Sequence, residues 1–87
     1  MIPNLDYTAS RHGERPPLYR ITGSNERWYC FSWRDPATVQ RQWVAVLLAL
    51  GQFDRCDVEP VDYHIEHGLV YVEGMPIGSI FECYHLP

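Results

Sequence analysis

The stretch Asp35–Gly51, "DPATVQRQWVAVLLALG", decides the fold of this chain. Asp35 offers a side-chain acceptor at the N-cap, and Pro36 follows at the first helical position, where its missing N–H costs nothing. Apolar residues then recur at helical spacing, at positions 39, 43, 46, 47 and 50. Gly51 is a natural residue to end the helix. The sequence therefore predicts one helix over residues 36–50.

Strand patterns lie on both sides of this helix. Before it, "LYRIT" and "RWYCFSW" flank the turn-forming "GSNE", which predicts a β-hairpin over residues 18–33. After it, a loop through Gln52–Pro60 leads to "VDYHIE", "LVYV" and "PIGSIFECYHL". The dipeptides "HG" and "EG" separate these segments, so we predict a three-stranded meander over residues 61–86, with a bulge at Gly78.

The order of these elements, ββ-α-βββ, predicts the α+β class. One helix packed on an antiparallel or mixed sheet is the natural two-layer solution, and a β-grasp-like arrangement fits the order by analogy. Eighty-seven residues, 46% of them hydrophobic, predict a single domain over 1–87 that folds without metal. Residues 1–17 are predicted to be irregular, because prolines and a glycine interrupt them.

Targeting signals and cysteine content indicate the cellular compartment of the protein. No secretory signal is visible at the start, and the longest apolar run is far shorter than a membrane span. Three cysteines are an odd number without a repeated spacing. We therefore predict reduced thiols, a cytoplasmic location and no membrane partner.

The stretch "DYHIEHG", residues 62–68, raises the question of a metal or catalytic site. In a strand, alternation puts Asp62, His64 and Glu66 together on one face, and a solvated face is the favoured interpretation. His67 could join His64 only across a turn. The further ligands that zinc would need are Cys56, Cys83 and His85, whose spacing matches no zinc pattern. With no phosphate loop or nucleophile elbow, we predict no cofactor and no enzyme, and rank a metal-dependent enzyme third.

Charge is divided unevenly along the chain. Residues 1–50 hold six Arg and four acidic residues, a net of +2, whereas residues 51–87 hold one Arg and seven acidic residues, a net of −6; together they give −4. An acidic ridge is predicted in the second half, formed by Asp54, Asp57, Glu59, Asp62 and Glu66. Such a ridge suits a protein partner with a basic surface and disfavours direct binding of nucleic acid.

The first hairpin offers an alternative function. If "GSNE" is the whole loop, Ile21 lies opposite Trp28 and Thr22 opposite Arg27. One face then presents Arg20, Arg27, Tyr29, Phe31 and Trp33. Arginines beside exposed aromatic rings form single-stranded nucleic-acid platforms, although the same rings can instead face the helix as core.

The helix carries two apolar residues outside its main stripe, Val44 and Leu48, beside Arg41. Either residues 1–17 cover this side, or a partner surface does, including a second copy of the chain. We therefore count Val44 and Leu48 among the predicted partner-binding residues.

In size, acidity and lack of a recognisable active site, the chain is similar to the small inhibitors carried by phages and plasmids, such as anti-CRISPR proteins. This resemblance implies a protein that blocks a defence complex by occupying its surface. It involves no shared motif, so it assigns no residue. The prediction from the sequence is a small non-catalytic protein-binding module.

Overall fold

Seven strands and one α-helix make up the part of the chain that the computed structural model describes, residues 15–24, 26–51 and 56–86. The strands are β1 Leu18–Thr22, β2 Arg27–Phe31, β3 Asp57–Val61, β4 His64–Glu66, β5 Leu69–Val72, β6 Met75–Ser79 and β7 Tyr84–His85; the helix α1 is Pro36–Ala49, and a 3-10 helix spans Ile80–Glu82. The predicted α+β class is confirmed, as is the order of two strands, one helix and then further strands, although five strands rather than three follow the helix. Residues 1–14 of the predicted irregular segment lie outside the described residues.

Helix α1 begins at the predicted residue and ends at Ala49, one residue before the predicted end. Pro36 is its first residue, and Gly51 follows the C-cap with φ of 75° and donates its N–H to the Leu48 carbonyl at 3.0 Å. The Asp35 side chain caps differently from expectation, because it accepts a hydrogen bond from the Thr38 hydroxyl rather than from a backbone N–H. That bond lowers the pKa of the Asp35 carboxyl.

The first sheet has four strands in the order β3-β1-β2-β7. The β1–β2 hairpin has the predicted register, with Ile21 opposite Trp28 and Thr22 opposite Arg27. Strand β3 is antiparallel to β1, and β7 is parallel to β2, so the sheet is mixed.

The second sheet is the antiparallel meander β4-β5-β6. Both of its turns have two residues with positive φ, His67-Gly68 at 54° and 79° and Glu73-Gly74 at 55° and 79°. This geometry matches the twist of the flanking strands and favours glycine at the second position. The two predicted hairpin turns are therefore confirmed, and the register shift opposite Val70 and Tyr71 places the predicted bulge at residues 77–78.

Three layers result from the burial of both faces of the first sheet. On one face, α1 packs its buried residues Val39, Trp43 and Leu47 against Tyr19 and Ile21. On the opposite face, residues of the second sheet form a separate core with the first; its buried members are Leu18, Phe31, Val70, Val72 and Cys83. The first sheet is thus the central layer.

The predicted loop at residues 52–60 is wrong in its second half, because residues 57–60 belong to β3. The segment "DVEPV" is poor in β-formers, and Pro60 cannot donate to a ladder. An edge strand tolerates proline, and β3 is the outermost strand on its side of the sheet.

The predicted single sheet is also corrected to two sheets. Both outer strands of the predicted 61–86 meander are divided between the two sheets. In the first of them, Val61 pairs with Leu18 in the first sheet, whereas His64 pairs with Tyr71 in the second. In the same way, β6 gives way to the 3-10 helix before β7 joins the first sheet. The meander therefore covers residues 64–79, and the β-grasp-like arrangement, which needs one sheet, is not formed.

Candidate partner-binding surface

A cleft of about 450 Å³ opens between β3 and the β5–β6 turn. Its charged lining residues are Arg20, Glu59, Asp62 and Glu73, and its apolar lining is Pro60, Val61 and Val72. Three carboxylates against one guanidinium give this lining a net charge of −2. We call it the acidic cleft.

Arg20 forms ion pairs with carboxylates on both sides of the acidic cleft. Its Nη1 lies 2.9 Å from Glu59 Oε1 and its Nη2 lies 3.0 Å from Glu73 Oε1, which joins the first sheet to a turn of the second. The guanidinium also lies over the Tyr29 ring, 5.9 Å from its centroid. Because only 15% of the Arg20 side chain is exposed, against 57% and 78% for the two carboxylates, a partner meets the acids first.

The other predicted acidic residues are distributed around this cleft. Asp57 is exposed on β3, two residues from Glu59 and so on the same face of the strand. Asp62 lines the cleft from the break between β3 and β4, rather than from the strand that was expected. Glu66 lies on the solvent face of the second sheet, and Asp54 lies outside the described residues.

The solvent face of the second sheet carries a pair of rings that the sequence analysis did not single out. His64 on β4 lies opposite Tyr71 on β5, with ring centroids 4.9 Å apart and an interplanar angle of 7°. Glu66 Oε1 is 3.7 Å from His64 Nε2. The signal that could have found Tyr71 is the two-residue turn at His67-Gly68, because its length fixes which residues pair across it.

The structure separates the histidines and cysteines that were weighed as metal ligands. His64 is exposed on the second sheet, His67 is in the turn, and His85 Nε2 is 3.1 Å from the Ile80 carbonyl oxygen. Cys56 and Cys83 belong to different cores. Within residues 15–24, 26–51 and 56–86, no three groups of metal-binding type come together.

All three cysteines are free thiols in buried positions. Burial raises the pKa of Cys30, of Cys56 and of Cys83, and carries that of Cys83 to about 11. A nucleophilic cysteine needs a lowered pKa and access to its substrate. None of these thiols has that environment.

We expect the native thiols to be nearly unreactive toward a thiol-specific disulfide reagent at about pH 8, because burial disfavours the thiolate and blocks access. All three should react within seconds in denaturant. Since the folded pKa of Cys83 is raised, its contribution to stability is complete at neutral pH and is lost as the pH rises from about 8.5 through about 11. Absorbance of the released chromophore, and urea melts at neutral and alkaline pH, check both statements. Rapid labelling of a native thiol would contradict the first.

The arginine-aromatic face of the first hairpin is occupied within the protein. Phe31 is 3% exposed in the core between the sheets, and Arg20 is bound by two carboxylates. Tyr29 and Trp33 are half-buried, and Arg27 is exposed. This arrangement favours the interpretation of the rings as core over a platform for nucleic acid.

The two apolar helix residues differ from each other in their surroundings. Leu48 is 51% exposed, and Leu50 beyond it is 58% exposed. Val44, however, packs against the core cluster on the helix side, so the expectation that it points away from the core is wrong. A contact of Leu48 with a partner or a second copy stays a prediction.

Comparison with known proteins provides no relative from which to transfer a function: no family model, curated protein or solved structure matches the chain. In the described part of the chain, no helix combines the length and the apolar character that crossing a bilayer requires. Any function therefore has to be inferred from the surfaces themselves.

Proposed function

We propose that this protein is a non-catalytic protein-binding module that places its acidic cleft against an arginine- or lysine-rich surface of a partner. In its finer form, the proposal is an inhibitor of the anti-CRISPR kind, which occupies a groove that otherwise holds nucleic acid. Charge complementarity of this type speeds the encounter and fixes the orientation of the partners.

The grouping of carboxylates around the acidic cleft is the observation that carries this proposal. Glu59 and Asp62, from β3 and its end, and Glu73, from the β5–β6 turn, line one concave surface. Asp57 extends the negative charge along β3. The single guanidinium in the cleft is already bound, so the surface offers acceptors to incoming cations and few donors to incoming anions.

An exposed apolar residue next to these charges supplies a source of affinity. Met75, 65% exposed, directly follows the Glu73-Gly74 turn, whose Glu73 lines the acidic cleft. Apolar anchors on rigid backbone contribute most of the energy in many interfaces, while charged rims contribute mainly to rate.

Charge reversal tests the proposal without disturbing the Arg20 ion pairs. Asp57, Asp62 and Glu66 are exposed and do not bind Arg20; changing all three to Arg takes the formal net charge from −4 to +2. We expect the full-length variant to lose binding to a labelled oligo-lysine peptide and to associate at least about ten-fold more slowly with any basic partner at low salt. Stopped-flow fluorescence at several salt concentrations measures both.

A matched pair of single variants controls for net charge. Asp62→Arg and Glu26→Arg change the charge equally, but Glu26 lies in the first hairpin turn, outside the acidic cleft. Only Asp62→Arg should slow association. Equal effects of the two, or an unchanged rate for the triple variant, would reject the proposal. Partners captured from a lysate by the wild type and lost by the triple variant should carry basic surfaces.

A further inference from the structure

The solvent face of the second sheet carries a flat aromatic surface at its β4 edge. His64 and Tyr71 stack almost parallel, and Pro76 lies opposite Tyr71 on the next strand. Val70 and Val72, which alternate with Tyr71, are buried, so this row faces away from the core. Because β4 is an outer strand of its sheet, no described strand lies beside the far face of the His64 ring. We call this pair of rings the His64–Tyr71 shelf.

Carboxylates flank the shelf at both ends of β4. Glu66 is on the same face, two residues from His64, with 57% of its side chain exposed. The exposed His64 ring therefore lies next to an accessible carboxylate, and Asp62, two residues before it in the chain, lines the acidic cleft.

We propose that the His64–Tyr71 shelf binds an arginine side chain of the partner and prefers it to lysine. A guanidinium is planar, stacks on aromatic rings and donates through several N–H groups in one plane, whereas an ammonium is a strongly hydrated point charge. The guanidinium stacks on the open face of the His64 ring and donates to the Glu66 carboxylate. This inference rests on the proposed function and names the residue type that the surface recognises.

The His64–Tyr71 shelf and the acidic cleft differ in how they bind arginine and lysine. The carboxylates of the cleft attract both arginine and lysine through charge, and they can favour arginine through paired hydrogen bonds. Stacking on a ring favours the planar guanidinium over the hydrated ammonium, and at an exposed site it corresponds to about a two- to five-fold difference in affinity. The part of the arginine preference that depends on His64 therefore reports on the shelf, and total binding with its salt dependence reports on the acidic cleft.

The test compares labelled oligo-arginine and oligo-lysine peptides of equal length, titrated with the full chain and followed by fluorescence anisotropy. We expect the wild type to bind oligo-arginine about two- to five-fold more tightly. His64→Ala should sharply reduce this preference and leave oligo-lysine binding unchanged, since His64 is exposed at a sheet edge. His64→Trp should enlarge the preference, which loss of a merely structural residue would not predict.

Each other outcome contradicts the inference and indicates which part of it is wrong. Equal binding of the two peptides by the wild type, with strong salt dependence, rejects the shelf and leaves the acidic cleft intact. No binding of either peptide rejects both. An unchanged preference in His64→Ala rejects the shelf. Binding of a labelled single-stranded oligonucleotide that His64→Ala abolishes would assign the rings to base stacking instead, and self-association that disappears in the same variant would assign them to a second copy.

Discussion

Replacing Trp43 with alanine should destabilise the domain by about 3–5 kcal/mol, because it empties the centre of the core between α1 and the first sheet. Trp43 is completely buried. Its ring centroid lies 5.5 Å from that of Trp28 on β2 and 4.9 Å from that of Tyr84 on β7, so one side chain joins the helix to two strands.

The expected loss is a large share of the about 5–15 kcal/mol that stabilises a typical domain. Urea denaturation followed by far-ultraviolet circular dichroism measures it, and the midpoint should fall by at least about 1 M. Leu48→Ala is the matched control on the same helix, since Leu48 is half exposed and its truncation should cost less than about 0.5 kcal/mol. Similar midpoints for the two variants would mean that α1 does not dock through Trp43.

The position of Trp43 in this core follows from sequence alone, and so does the hairpin beneath it. Helical spacing places residues 39, 43 and 47 on one face, and Asp35 through Pro36 marks where the spacing begins. A four-residue loop fixes the pairing of Ile21 with Trp28. These signals are local: each depends on residues within one element or across one short turn.

Strand β3 and the division into two sheets could not be predicted from local sequence signals. In "DVEPV", two valines favour a strand, but Asp57, Glu59 and Pro60 disfavour one. The segment forms a strand because Leu18 and its neighbours offer an open edge some forty residues earlier in the chain. The alternating "VDYHIE" has the pattern of one continuous strand, yet Val61 belongs to the first sheet and His64 to the second. Pairing between distant segments is decided by packing of the whole domain, which periodicity does not encode.

For the candidate surfaces too, local features can be predicted from the sequence, whereas contacts between distant segments cannot. Acidic character in the second half is visible in the composition, and the stacking of His64 on Tyr71 follows from turn length. The meeting of Glu73 with Glu59 across Arg20 has no such signal, since it brings together three segments that are far apart in sequence. The acidic cleft is therefore a tertiary feature, although two of its three carboxylates, Glu59 and Asp62, were expected.

Replacing Phe31 with alanine should loosen the second sheet more than it loosens the helix. Phe31 is 3% exposed in the core between the sheets, where its ring centroid lies 5.3 Å from Tyr63 and 5.1 Å from His85. Large-to-small changes at such positions cost about 3–5 kcal/mol. In the described part of the chain, the two sheets are joined by this packing and by side-chain contacts, such as Arg20 Nη2 to Glu73 Oε1 at 3.0 Å, rather than by a shared ladder.

Hydrogen exchange distinguishes local loosening from a uniform loss of stability. Amides of β5 should lose protection by at least about a hundred-fold in Phe31→Ala, whereas those of α1, which pack on the other core, should lose less. Phe31→Leu keeps most of the volume and should cost under about 1.5 kcal/mol. Equal loss in β5 and α1 would show that the three layers unfold as one unit. Because Glu73 and the His64–Tyr71 shelf both belong to the second sheet, local loosening should also weaken oligo-arginine binding, although Phe31 itself is buried beneath the surface that binds.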